Sequence, residues 1–149
     1  MASSARGPAD MTAAEIIAAA RQCLGTPFRH QGRSLTTGMD CAGVALHVAQ
    51  AIGCEALDVS GYGRTPANGQ LEATLDTQPD LVRVLDIASR QPGDLLLMRL
   101  ARDPQHLAVL CGDTIVHAYA TVGACCEHLL DEAWERRIVR VYRFAGIAS

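Results

Sequence analysis

The apolar and polar positions divide the chain into a helical first third and a strand-rich remainder. Thr12-Ala13-Ala14-Glu15 has the form of a capping box, and Ile16, Ile17 and Ala20 continue an apolar stripe at helical spacing. This predicts a helix ending near Leu24, stopped by Gly25 with Pro27 just beyond. A polar loop is expected over residues 26–39. A second helix should start at Asp40-Cys41 and end at Gly53. Ala42, Val44, Ala45, Val48, Ala49 and Ile52 occupy almost every side of it, so it is expected to be buried all round. Residues 54–68 show no period, and residues 69–76 read as a short, weak helix.

Beyond that point the period changes. Leu81-Val82-Arg83-Val84-Leu85 alternates as a half-buried strand. Gln91-Pro92-Gly93-Asp94 places proline and glycine where a type II turn wants them. Residues 95–100 read as a strand and 101–105 as a polar loop. Two strands, from His106 to Cys111 and from Thr114 to Tyr119, flank a tight Gly112-Asp113 turn. Further strands are expected over 122–129 and 138–144, with a helical turn over 131–137 between them. Helices first and hairpin-linked strands afterwards predict an α+β domain with an antiparallel sheet. That domain spans residues 11–149, and residues 1–10 form a loose, flexible arm.

Composition narrows the function classes. The 149 residues are 49% hydrophobic and 19% charged, which suits a packed domain and excludes disorder. A net charge of −3 gives no general pull toward nucleic acid or anionic membrane, so neither is an expected partner. Arg136, Arg137, Arg140 and Arg143 follow Asp131, Glu132 and Glu135, the pattern of a solvated mixed-charge face. No stretch approaches the roughly 18 apolar residues of a membrane span. The N-terminus has no apolar core of a signal peptide, so synthesis in the cytoplasm without a signal peptide is expected. The six cysteines resemble no disulfide framework. With no CxxC or HExxH, Cys125, Cys126 and His128 form a weak ligand set, and no metal is expected.

One cysteine stands apart by position. Cys41 falls in the first turn of the second helix, where unpaired N–H groups and the positive end of the helix dipole stabilise a thiolate. Its pKa is therefore expected to fall from about 8.5 toward neutrality. Cysteine is equally a common, inert core residue, so the partners decide. If Gly112-Asp113 is a two-residue turn, Cys111 faces Thr114, His106 faces Tyr119 and His117 faces Ala108. His106 and His117 then share a face as diagonal neighbours, about 7–8 Å apart. Buried imidazoles each need a hydrogen-bond partner. A cysteine nucleophile needs one histidine to take its proton and a second polar group to orient that ring. Phe28 and His30, in the loop just upstream, suit one wall of such a site. They also suit an ordinary hydrophobic anchor and a solvated loop residue.

In their order along the chain, several blocks resemble the NlpC-type cysteine peptidases. They are Leu24-Gly25-Thr26-Pro27-Phe28 with Gly32, Asp40-Cys41-Ala42-Gly43, Pro92-Gly93-Asp94-Leu95, His106-Leu107-Ala108-Val109 and Ile115-Val116-His117-Ala118. The closing segment, residues 134–144, is most similar to the phage-tail and gene-transfer-agent branch. The resemblance implies a papain-like fold with the Cys41 helix packed on the sheet that bears both histidines. It implies hydrolysis of peptidoglycan stem peptides, typically between D-glutamate and a diamino acid, with no cofactor. Cys41 maps to the nucleophile, His106 to the general base and His117 to the orienting residue. Phe28, Asp40 and Ala42 map around the substrate, and His30, from its place in the loop upstream of Cys41, is expected to join them.

Phe28 stands where the family often has tyrosine, and Ala42 where it often has serine. In some members that serine and the preceding aspartate hold a free peptide amine. The branch implies a virion or tail-like particle as the location, tail proteins as partners, and action on the wall of a target cell. An amidase or acyltransferase with the same Cys–His pair, and a catalytically idle tail-tip structural protein, remain alternatives.

Overall fold

The computed structural model describes residues 12–54, 70–100 and 104–145. The N-terminal arm, most of the 54–68 segment and most of the 101–105 loop lie outside those residues. Helix α1 spans Ala13–Arg21, and the Thr12 hydroxyl caps it by accepting from the Glu15 N–H at 3.3 Å. It ends one turn earlier than expected, because residues 22–25 continue as turns down to Gly25 at φ +85. Two short strands follow, β1 (Arg33–Ser34) and β2 (Gly38–Met39), then helix α2 (Cys41–Ala51). Helix α3 covers Gln70–Asp76 and strand β3 Leu81–Val84; a single 3₁₀ turn spans Ile87–Ser89. The remainder is β4 (Leu95–Arg99), β5 (Pro104–Leu110), β6 (Thr114–Tyr119), β7 (Ala124–Leu129), α4 (Glu132–Glu135) and β8 (Ile138–Phe144).

Six strands form one antiparallel sheet in the order β3-β8-β4-β5-β6-β7. Strand alternation gives it two packed faces. Leu95, Leu97, Leu107, Val109, Val116, Ala118, Tyr142 and Phe144 face α1, α2 and α3 in the main core. Leu96, Met98, Ala108, Leu110, Ile115 and Val141 face the other way, against Ile87, Leu130 and Trp134. The α+β class expected from the sequence is the one observed. Helix α2 departs from expectation: Val44, Val48 and Ala49 are buried, but Cys41, Ala42, Ala45, Leu46 and His47 are only half-buried and Gln50 is exposed. Its alanines are apolar all round, yet small enough that partial exposure costs little.

The Pro-Gly-Asp turn is structural. Gly93 sits at φ +93, a conformation that favours glycine, and its N–H donates to the Leu110 carbonyl at 2.7 Å. The Asp94 carboxylate is buried and takes a two-pronged contact from Arg143, Nε to Oδ1 at 2.8 Å and a guanidinium N–H to Oδ2 at 2.9 Å. The pair locks the start of β4 to β8. Arg143→Ala leaves a buried carboxylate without its cation, so a loss of about 3 kcal/mol in unfolding free energy is expected. Urea denaturation measures it, and an unchanged midpoint would refute the role given to this pair.

The edge strand β7 is not bare. The Gly25 N–H donates to the Cys125 carbonyl at 3.0 Å, the Cys125 N–H to Thr26 at 2.8 Å, and the Phe28 N–H to Gly123 at 2.9 Å. The Met39 N–H closes onto the Pro27 carbonyl at 3.0 Å. The segment between the first two helices is thereby laid along the sheet as an extra partial strand.

Candidate active site

Helix α2 begins where three glycines permit close approach. A Cβ on Gly43 would lie 2.6 Å from the Gly32 carbonyl oxygen, and one on Gly32 2.5 Å from that of Gly38. The loop and the first turn of α2 therefore pack backbone to backbone, which fixes where Cys41 starts. Asp40 is the N-cap, and its Oδ1 accepts from the Gly43 N–H at 3.0 Å. The same carboxylate is buried, 4% exposed, and also holds Arg33 at 2.9 Å and the Gln31 N–H at 2.9 Å. Its acceptor positions are used within the fold. Ala42 is half-buried beside Cys41, and Phe28 is half-buried against the main core. His30 is half-buried in the same loop.

The ladder between β5 and β6 is short. Leu110 pairs with Ile115 and Val109 with Val116, the register that Cys111 opposite Thr114 requires. Among the described residues no further rungs join these strands. Into this end of the sheet come Cys41 from the helix side and the histidines from the other. The Cys41 sulfur lies against the backbone N–H groups of Leu107 and Ala42, which favour its thiolate, as does the charge of Arg33. Burial, and then the Asp40 carboxylate, act more strongly in the opposite direction, and the thiol is pushed up to about 12.

The lowered pKa expected from the helix start is thus overturned. The aspartate that caps the helix supplies a negative charge where the dipole supplies a partial positive one. Because the folded thiol titrates above the neutral range, its thiolate fraction should rise about tenfold per pH unit from pH 6 to 9. Iodoacetamide alkylation of Cys41 in the free protein should climb accordingly. A rate that levels off in that range would instead show a preformed thiolate–imidazolium pair.

His106 and His117 point to the same face, as the hairpin register requires, and their rings meet directly. His106 Nε2 lies 2.5 Å from His117 Nδ1, with ring centroids 4.8 Å apart. Both are buried. Burial first, then His117, Arg137 and His128, depress His106 to about 3; burial and then His128 depress His117 to about 4. At neutral pH these two rings are uncharged.

The sequence reading missed a third ring. His117 Nε2 lies 2.7 Å from His128 Nε2, and His128 Nδ1 lies 3.0 Å from the Leu129 carbonyl oxygen. The signal was available: His117 pairs with Cys126 on β7, so His128, two residues on, shares the imidazole face. Trp134 closes over the cluster, 5.2 Å from His117 and 4.9 Å from His128, and Arg137 stacks on the indole at 4.6 Å. Tyr119 stacks on His117 at 5.1 Å.

In a row of uncharged rings, the terminal carbonyl sets the direction of every hydrogen bond. It can only accept, so His128 Nδ1 donates. A neutral imidazole has one donor and one acceptor. With all three rings neutral, His128 Nε2 accepts from His117 Nε2–H, and His117 Nδ1 accepts from His106 Nε2–H. The proton-free nitrogen at the end of the row is then His106 Nδ1, in the residue next to Leu107.

Cys125, Cys126 and His128, the weak ligand set of the sequence, do not share one face. Neighbouring strand residues face opposite ways, and Cys125 belongs to the main core. All six cysteines are free. Among the described residues, no helix is long and apolar enough to cross a membrane.

A helix-start cysteine set against a sheet that carries a hydrogen-bonded pair of histidines defines a papain-like α+β domain. The NlpC/P60 family model matches residues 25–143, and the chain belongs to that family. The fold is shared with an NlpC/P60 family protein from Bacillus cereus, at TM-score 0.68 and 20% identity over 94% of this chain. A lipoprotein-like NLP/P60 protein from Staphylococcus aureus follows at TM-score 0.66 and 20% identity over 97%. This chain spans less than half of either structure, 43% and 45% respectively. The peptidoglycan hydrolase RipB from Mycobacterium tuberculosis has the same fold at TM-score 0.65 and 18% identity, with 93% of this chain and 67% of that one covered. No curated protein matches the chain.

Proposed function

We propose that the chain is a cysteine peptidase that hydrolyses peptidoglycan stem peptides. The observation that carries this reading is the row of hydrogen-bonded imidazoles that ends on His106, next in the chain to Leu107, whose backbone N–H lies with that of Ala42 against the Cys41 sulfur. Such an arrangement suits nucleophilic attack on an acyl carbon. Cys41 attacks the scissile carbonyl while His106 Nδ1 takes the thiol proton. The oxyanion is held partly by the Cys41 N–H at the start of α2. His106 then protonates the leaving amine, and a water deprotonated by His106 releases the acyl group from sulfur. His117 and His128 keep the His106 proton on Nε2, and no metal or cofactor takes part. Peptidoglycan is the substrate class because relatives of this fold, RipB among them, are peptidoglycan hydrolases.

The proposed bond lies between D-glutamate and the diamino acid. The proposed setting is a phage tail or gene-transfer-agent particle, on the resemblance of residues 134–144 to that branch. Digestion of purified sacculi with mass spectrometry of the fragments tests the reading. Release of stem fragments cut at one bond supports it, and intact stems after prolonged digestion refute it.

The occupied Asp40 adds a statement about substrate. Its carboxylate already holds Arg33, the Gln31 N–H and the Gly43 N–H, and Ala42 offers no hydroxyl. A free peptide amine would therefore meet a carboxylate already engaged and no hydroxyl beside it, and each unmet buried hydrogen bond costs about 1–3 kcal/mol. Stems still linked to glycan, which lack that amine, should be cut at least as well as amidase-released stems in side-by-side digests. A strong preference for released stems would return Asp40 to the role of amine anchor.

A further inference from the structure

The imidazole row has a neighbour that the proposed peptidase chemistry does not use. Cys126 lies directly opposite His117 on β7, and His128 follows on the same face. One ligand atom from each of His117, Cys126 and His128 lies within 4.8 Å of the others. Two imidazole nitrogens and a thiol sulfur are the donor set of borderline-soft divalent cations of the zinc class. The facing nitrogens are 2.7 Å apart. Tetrahedral zinc, with Zn–N near 2.0–2.1 Å, wants them about 3.3 Å apart, an opening of roughly half an ångström at the half-buried His128.

We propose that His117, Cys126 and His128 form a binding site for zinc or a similar divalent cation, and that its occupancy switches off His106 as a base. The second half rests on the peptidase reading above; the first does not. The proton count is explicit. A cation on His117 Nε2 displaces the proton that nitrogen donates to His128. His117 stays neutral by taking the His106 Nε2 proton onto its own Nδ1, and His106 stays neutral by gaining one at Nδ1. The three rings hold three protons before and after. The single proton released comes from the Cys126 thiol as it becomes a thiolate ligand. The hydrogen bond between His106 and His117 survives with its direction reversed, and the nitrogen that would accept from Cys41 is now occupied.

Cobalt(II) titration of the full chain tests the site, because a thiolate ligand gives cobalt a near-ultraviolet charge-transfer band. The band should appear at one equivalent in the wild-type protein and in Cys41→Ala, and be absent in Cys126→Ser. A band lost in Cys41→Ala, one that persists in Cys126→Ser, or none at all overturns the site. Zinc titration of sacculus digestion tests the switch. Turnover should fall at least about tenfold at saturation, since a general base contributes about 10²–10⁴. Cys126→Ser should digest at the wild-type rate and resist zinc. Cys126-dependent binding with unchanged turnover would overturn the switch. An inactive wild-type protein that still shows the cobalt band would refute the peptidase reading, not the site.

Discussion

Cys41→Ala is expected to lower sacculus digestion on the order of 10⁵-fold or more while leaving the fold intact. Cys41 as a residue is half-buried at a helix start, so removing one sulfur atom opens only a small gap, and alanine is the best helix former. Stability should therefore change by less than about 1 kcal/mol. No other cysteine can substitute. Cys23, Cys54 and Cys125 are buried in the main core, Cys111 packs against it, and Cys126 sits on β7 beyond His117. The measurement is residual activity together with the urea midpoint. Substantial turnover in a folded Cys41→Ala protein would remove the nucleophile assignment outright.

The second large effect falls on the imidazoles, and it should be graded. His106→Ala should approach the loss seen for Cys41→Ala, because the proposed chemistry gives His106 both the thiol proton and the protonation of the leaving amine. The double variant should be no worse than either single one, since residues that act as a unit are not additive. His117→Ala should retain more, losing about 10²–10³-fold, because a water can occupy the vacated space and accept from His106 Nε2–H. Turnover numbers for the four proteins decide the matter. Equal and near-complete activity in both histidine variants would refute the dyad, and a reversed order would exchange the two roles.

Much of this was legible in the sequence because the signals were local. The Thr12 cap, the Pro92-Gly93 turn and the Gly112-Asp113 turn each specify backbone geometry within four residues. From the last of these the shared face of His106 and His117 followed. The same logic fixed α2, whose start is set by Asp40. What escaped depended on distant residues. Arg33 neutralises Asp40 from across the loop, and nothing in the 40–43 motif announces it. The raised Cys41 thiol is not legible in the sequence, because a helix start carries no sign of the desolvation that tertiary packing imposes. In the sequence His128 stands beside two cysteines, whereas strand alternation separates it from Cys125 and joins it to His117.

The strip of chain laid on β7 has a mechanical meaning. Residues 25–28, which bear Phe28, are bonded to the sheet edge on one side and to Met39 on the other, and Met39 directly precedes the Asp40 cap. Phe28 and Cys41 are therefore carried by one braced frame. To swing that wall away from Cys41, the chain would have to break strand-like hydrogen bonds as well as loop contacts. The site behaves as a mould, not a clamp: its shape is set when the sheet forms, and a substrate meets a geometry already ordered. Selectivity then comes from what fits the fixed groove, and changes at Gly25, Thr26 or Gly123, none of which need touch substrate, would be felt as altered positioning at Cys41.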